Sequence, residues 1–222
     1  MSLLELCEIE MHFGYGDNKV QALEDINLTV QEGDFIAITG KSGCGKTTLL
    51  NVLACITKAT GGRYFFRGQD ITHISANQSA RFRNRNLGFI VQHFALIPSM
   101  TVYKNIALPL VYQRCSANDL KARVTDLARL LEIDDKLDCY PEELSGGQSQ
   151  RAAIARAIAT KPALLLADEP TGALDEETGK KIMDLFSELN AAGTTILLVT
   201  HDMEVASVSH HIVKMRDGHI FS

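Results

Sequence analysis

The chain has 222 residues, 45% of them hydrophobic and 22% charged, with a net charge of -5. That length and apolar content support a sizeable core and exclude a disordered chain. The mild acidity excludes the electrostatic footprint of a nucleic-acid binder, and with it a basic face for docking on anionic lipid.

No apolar run reaches the length of a membrane span, and the best, at residues 163–167 and 196–199, are strand-sized. The N-terminus opens Met1-Ser2-Leu3-Leu4-Glu5, without the basic region and apolar stretch of a signal peptide. Five cysteines (Cys7, Cys44, Cys55, Cys115, Cys139) are odd in number and lack CxxC spacing. They read as reduced thiols of a cytosolic protein. The seven histidines do not cluster as zinc ligands.

Taken in chain order, residues 3–11 read as a strand, and residues 18–20 and 26–30 alternate apolar and polar with period two. Glu32-Gly33-Asp34 is a turn, and residues 35–39 form a fully buried strand. A glycine-rich turn leads into a helix at 47–54. A short β segment follows at 63–66, then a polar helix at 75–86 and a second buried strand at 87–91. Leu120, Val124, Leu127 and Leu131 recur at helical spacing with charges between them, so residues 93–157 form a mostly helical insertion. Strand–helix alternation resumes with a strand at 163–167, a helix at 176–190 and a strand at 194–200. A helix begins within 201–207, and residues 212–215 and 219–221 close a hairpin around Asp217-Gly218. Unbroken apolar strands alternating with helices predict an α/β fold whose mostly parallel sheet is covered on both faces.

Gly40-Lys41-Ser42-Gly43-Cys44-Gly45-Lys46-Thr47 matches GxxxxGK[ST], between a buried strand and a helix. Glycines let the backbone curl so that successive N–H groups face a phosphate, and the helix adds its positive end. Lys46 supplies a charge for the β- and γ-phosphates, the Thr47 hydroxyl is a ligand for Mg²⁺, and Thr48 approaches the α-phosphate. This motif alone leaves kinase, GTPase, helicase and transporter motor open. Cys44 within it predicts sensitivity to bulky thiol reagents, with ATP as protectant.

Asp168 and Glu169 stand at the carboxyl end of a buried strand, where open α/β sheets place ligands. Asp168 can hold Mg²⁺ through water, and Glu169 can polarise an attacking water as general base. Leu144-Ser145-Gly146-Gly147-Gln148 precedes a strong helix at 150–160, with Ser145 as its N-cap. It is a second glycine-rich helix start, hence a second anion-binding device, in a chain with one P-loop.

LSGGQ, an Arg/Ala-rich helix and a strand ending Asp-Glu together resemble the ABC ATPase family over nearly the whole chain. The resemblance implies a P-loop NTPase core with an N-terminal antiparallel β subdomain and an inserted helical subdomain. In these terms residues 1–222 are one nucleotide-binding domain, with 1–92 and 158–222 as the ATP-binding core and 93–157 as the signature-motif subdomain. It implies ATP and Mg²⁺, and two subunits packed head to tail. Each ATP then lies between one P-loop and the partner's Ser145, Gly147 and Gln148. Gln92 matches the glutamine that reaches Mg²⁺ and the attacking water. Asp175 lies in Ala173-Leu174-Asp175, which matches the loop that crosses the dimer, and His201 matches the histidine near the γ-phosphate. Adenine would stack on Phe13, with Tyr15 as the alternative.

Residues 94–98, Thr101, residues 105–110, residues 167–175 and Met215-Arg216-Asp217-Gly218, with the short C-terminus, resemble a particular branch. That branch serves lipoprotein release and macrolide or antimicrobial-peptide export. The resemblance implies a membrane permease partner, no nucleic acid, and a peripheral place at the inner face of the cell membrane. The apolar residues of 94–103 are expected to form a groove for a cytoplasmic helix of that permease. Rival readings are a soluble ABC-type ATPase, a regulatory module that does not hydrolyse ATP, and a P-loop small-molecule kinase. The last leaves LSGGQ without a role.

Overall fold

The computed structural model describes residues 2–14, 19–92 and 94–221. Its strands fall into two sheets. Strands β1 (Ser2–Phe13), β2 (Val20–Gln31), β4 (Gly61–Phe66) and β5 (Gln69–Asp70) form an antiparallel sheet in the order β2-β1-β4-β5. Strand β2 is one continuous element of 12 residues where the alternation suggested two. The reason is a bulge: Ile26 pairs with Ile9 and Leu23 with Met11, and Asp25 between them has φ 47. A bulge shifts side chains out of period, so the pattern breaks although the strand continues. Asn18, expected at the start of this element, lies outside the described residues.

The second sheet holds β3 (Phe35–Thr39), β6 (Leu87–Ile90), β7 (Leu164–Asp168), β8 (Thr195–Thr200), β9 (His211–Arg216) and β10 (His219–Phe221). Its order is β10-β9-β3-β8-β7-β6. All its pairings are parallel except that of β9 with β10. Every residue of β3, β7 and β8 is buried, as unbroken apolar strands in a covered parallel sheet must be.

The period of two decides which side each residue serves. Ile36, Ile38, Leu164, Leu166, Leu197 and Val199 join α1 (Lys46–Leu53) and the antiparallel sheet in one core. Phe35, Ala37, Leu165, Ala167, Ile196 and Leu198 face the other way. They pack with α3 (Val102–Tyr112), α4 (Ala117–Leu130), α5 (Gly146–Ile158) and α6 (Glu176–Ala191). Helix α2 (Ala76–Asn86) is capped by Ser75 and packs beside β6, and α7 (Met203–Ser207) follows β8.

The segment before α3, expected to form a groove, lends part of its apolar surface to the core. Leu96 and Tyr103 pack against the helical core and Val102 is fully buried. Asn105 organises this turn from inside. Fully buried, it accepts from the Ile97 N–H at 2.7 Å and donates to the carbonyls of Ile97, Met100 and Thr101. An apolar replacement leaves one amide and several carbonyls buried and unpaired. Asn105→Ala is therefore expected to destabilise the chain by about 2–3 kcal/mol, measured by urea unfolding.

Candidate active site

The carboxyl ends of β3, β7 and β8 open on one cavity of about 860 Å³. Its floor is the turn between β3 and α1. Gly45 caps α1 in the left-handed region, at φ 104, and a Cβ there would lie 2.5 Å from the Ala22 carbonyl oxygen. Only glycine meets both demands. No side chain caps α1 and its first turn holds no acidic residue, so its N-terminal amides stay open to an anion. The buried Lys46 ammonium donates to the carbonyls of Gly40 (2.7 Å) and Lys41 (3.0 Å), which holds it within the turn. Lys41, Ser42, Gly43, Gly45, Lys46, Thr47 and Thr48 all line the cavity.

Cys44 does not line it. Its thiol is buried, belongs to the core beneath the antiparallel sheet and lies against Gly40. The expected sensitivity to bulky thiol reagents is thus corrected: the residue contributes to the turn through its backbone, and its sulfur is walled off. Exposed Cys7 is the accessible thiol.

Across the cavity, the Thr47 hydroxyl donates to Asp168 Oδ2 at 3.0 Å. Burial pushes the Asp168 carboxyl above its ordinary pKa, and the charge of Glu169 adds to this against the opposing pull of Thr47 and Lys46. A desolvated carboxylate beside a hydroxyl is a place that gains from a cation. Among the described residues no three His, Cys, Asp or Glu side chains cluster to hold a metal alone. The Thr47 hydroxyl and the Asp168 carboxylate are oxygen donors of the kind Mg²⁺ would take, alongside water and substrate phosphates.

Glu169 occupies the left-handed region at φ 47. Its Oε1 accepts from the His201 backbone N–H at 3.1 Å and lies 2.7 Å from His201 Nδ1. Its Oε2 accepts from the Thr200 hydroxyl at 3.1 Å. With a proton on Nδ1, these contacts leave an acceptor site on Oε2 for a further donor such as water. Gln92 lines the same cavity two residues after β6, and its Nε2 and the Glu169 Cβ lie 3.7 and 3.6 Å from where a Gly172 Cβ would sit.

Four of the expected nucleotide contacts lie elsewhere. Ser145 caps α5 with its side chain accepting from Gln148 N–H, while Gln148 Oε1 accepts from Ser145 N–H. Gly147 packs so closely on α6 that a Cβ would lie 2.9 Å from Thr178 Cγ2, and Asp175 caps that helix. Ser145, Gly147, Gln148 and Asp175 thus form a second cluster outside the cavity. Phe13 is 47% exposed and pairs with Val20, which lines the cavity, while Phe13 itself does not. Tyr15 lies outside the described residues.

Sequence reasoning missed the part played by Asp217 and Gly218, which line the cavity. Their hairpin turn braces the phosphate loop, Gly218 N–H donating to the Cys44 carbonyl at 3.1 Å while the Gly218 carbonyl accepts from Glu24 N–H at 2.9 Å. The Asp-Gly pair signals a turn, but no local pattern says which loop that turn supports.

The family profile described as "ABC transporter" matches residues 23–172, more than half of the chain. The chain belongs to the ABC transporter family. One relative of this ABC protein is macrolide export ATP-binding/permease protein MacB 2 of Aeromonas hydrophila, 44% identical over 218 residues. That match takes in 98% of this chain but 34% of MacB 2, so the chain spans about a third of such relatives. The uncharacterised ABC transporter ATP-binding protein YknY of Bacillus subtilis is 41% identical over 218 residues, 98% of this chain and 95% of its own. Among solved structures, a dimeric post-hydrolysis state of the ATP-binding cassette MJ0796, bound to ADP and Pi, superposes with TM-score 0.93. It is 36% identical and covers 99% of this chain and 97% of that one. The ABC cassette fold expected from the resemblance is the fold observed, with its parallel and antiparallel sheets.

Proposed function

We propose that this chain binds ATP with Mg²⁺ and hydrolyses it in a head-to-tail dimer. One observation carries the reading: the chain holds two glycine-rich helix starts that its own fold keeps apart. The first, at α1, opens into the cavity with Asp168, Glu169 and His201. The second, at Ser145, stands outside it. A second copy turned end for end supplies what each site lacks. MJ0796, solved as a dimer bound to ADP and Pi, supports a dimer that handles nucleotide.

The roles follow from the geometry. The turn from Gly40 to Gly45, with Lys46, Thr47 and Thr48, cradles the phosphates, and Phe13, paired with cavity-lining Val20, offers an aromatic face to adenine, with Tyr15 the alternative by sequence alone. Thr47, Asp168 and Gln92 are placed to hold Mg²⁺, whose chemistry is neutralisation of the phosphate charge. Glu169 takes the proton of the attacking water on Oε2, and His201 orients that carboxylate through its backbone N–H and its ring. Ser145, Gly147, Gln148 and Asp175 serve the partner's nucleotide. The γ-phosphate is the ligand that both helix starts share, so its arrival closes the dimer and its loss opens it. The 2.7 Å Glu169–His201 contact favours hydrolysis over a silent regulatory module. Phosphate release from ATP by the purified chain should rise more steeply than linearly with chain concentration in the nanomolar range. Strict proportionality would count against a shared site.

The partner we propose is a membrane permease, which places the chain at the cytoplasmic face of the membrane. No helix among the described residues is long and apolar enough to cross one. The relatives named macrolide export ATP-binding/permease proteins support an export system, and the cargo we propose is lipoprotein, peptide or macrolide-like, moved or pushed by transmitted force. Within this reading residues 1–92 and 158–222 form the ATP-binding core and 93–157 the signature subdomain. A groove of about 730 Å³ between α2, α3 and α5 suits a permease helix, with Phe89, Leu108, Pro109 and Tyr112 among its walls. Tyr112 is 73% exposed there, an unusual place for a large aromatic without a partner. Tyr112→Glu is expected to cut transport by about tenfold in membranes carrying the permease, and to leave phosphate release by the isolated chain unchanged.

A further inference from the structure

Arg156 on α5 is a half-buried cation with no ion-pair partner among the described residues. Its Nη1 donates to the Ala95 carbonyl at 2.6 Å and its Nη2 to the Phe94 carbonyl at 2.9 Å. Burial lowers its pKa, and no neighbouring acidic charge offsets that effect. A guanidinium desolvated without a counter-ion is costly and calls for a reason.

The two residues it grips are themselves strained. Phe94 and Ala95 lie consecutively in the left-handed region, at φ 60 and φ 47, and neither is glycine. Such a conformation persists only where surrounding groups hold it. Just before them, Phe94 N–H donates to the Val91 carbonyl at 3.1 Å, closing the turn that carries Gln92. On its other side Arg156 lines the groove between α2, α3 and α5, with Phe89, Pro109 and Tyr112.

We infer that Arg156 is a positioning residue for Gln92. Its fork pins the two left-handed carbonyls, and these hold the Phe94 N–H on the Val91 carbonyl so that Gln92 stays at the cavity that Glu169 also lines. Because the same side chain walls the groove, a segment seated there presses on the group that sets Gln92. The inference rests on the role proposed above for Gln92.

A double-mutant cycle on the 222-residue chain tests it, with Arg156→Met and Gln92→Ala made singly and together. Arg156→Met should lower kcat about tenfold with KM for ATP nearly unchanged, within the loss that a misplaced group can cause. The double variant should be no slower than Gln92→Ala alone, because the first change acts through the second. Arg156→Lys, which keeps one carbonyl contact, should recover part of the rate and serves if the methionine variant folds poorly. The thermal midpoint of Arg156→Met should hold or rise, since an unpaired, half-buried charge has gone. Losses that multiply in the double variant overturn the inference while leaving Gln92 its role. So does a kcat that falls only in step with the thermal midpoint in both Arg156 variants. A Gln92→Ala chain with normal kcat would remove the proposed role of Gln92, and this inference with it.

Discussion

Replacing Glu169 with glutamine is expected to cut phosphate release by about 10³-fold, within the range that a positioned general base contributes. ATP binding should persist, because none of the phosphate-loop contacts involves this residue. The fold should persist as well. A glutamine oxygen can still accept from His201 N–H, as Oε1 does now. What the amide lacks is basicity, so the water loses its proton acceptor and the γ-phosphate stays in place. The consequence is a stable ATP-bound dimer. Light scattering with ATP and Mg²⁺ should show the mass double, and a phosphate-binding sensor should show no turnover. A variant that remains monomeric with ATP would remove the two-subunit site, and one that still turns over would move the base elsewhere.

Lys46→Met should weaken ATP binding by roughly 10- to 100-fold, the equivalent of one or two charge-assisted hydrogen bonds. The ammonium now spends its donors on the carbonyls of Gly40 and Lys41, so it is already aimed across the turn. Methionine keeps most of the buried stem and removes the charge together with its two carbonyl bonds. The effect should depend on the phosphate chain. ATP and ADP should lose affinity and AMP should not, because the charge serves the β- and γ-phosphates. Titration of a fluorescent nucleotide displaced by each ligand measures this. Equal losses for all three would mean that the turn had collapsed, and circular dichroism melting would show it. An unchanged ATP affinity would mean that this turn is not the phosphate cradle.

Much of this site could be read in the chain before folding. The phosphate loop is legible because its chemistry is local: glycines at fixed offsets, a lysine and a threonine, between an apolar run and a helix. Asp168-Glu169 is legible for a similar reason, since five buried residues end in two acids. Ser145 is a helix cap by residue type, and the capping box with Gln148 is observed. Cys44 was misread because composition says nothing of which way a side chain turns in a loop, and only packing against Gly40 hides it. Which apolar residues of 94–103 turn inward is hidden in the sequence for the same reason. Residues 94–103 are apolar, yet Leu96, Tyr103 and Val102 spend that character inward, while Tyr112 on the far end of α3 stays outside.

By itself the sequence determined the order of strands and helices, the phosphate loop, the acids at the end of β7 and the second glycine-rich helix start. Each depends on neighbours along the chain, through backbone freedom, period and capping. Only the tertiary structure decided that Asp217-Gly218 braces Cys44, that Thr200 and His201 hold Glu169, and that Ser145 stands outside the cavity. These contacts join residues from different strands of the parallel sheet or from separate helices. Their partners are chosen by strand order and by which face of the sheet each helix covers, which no local pattern records.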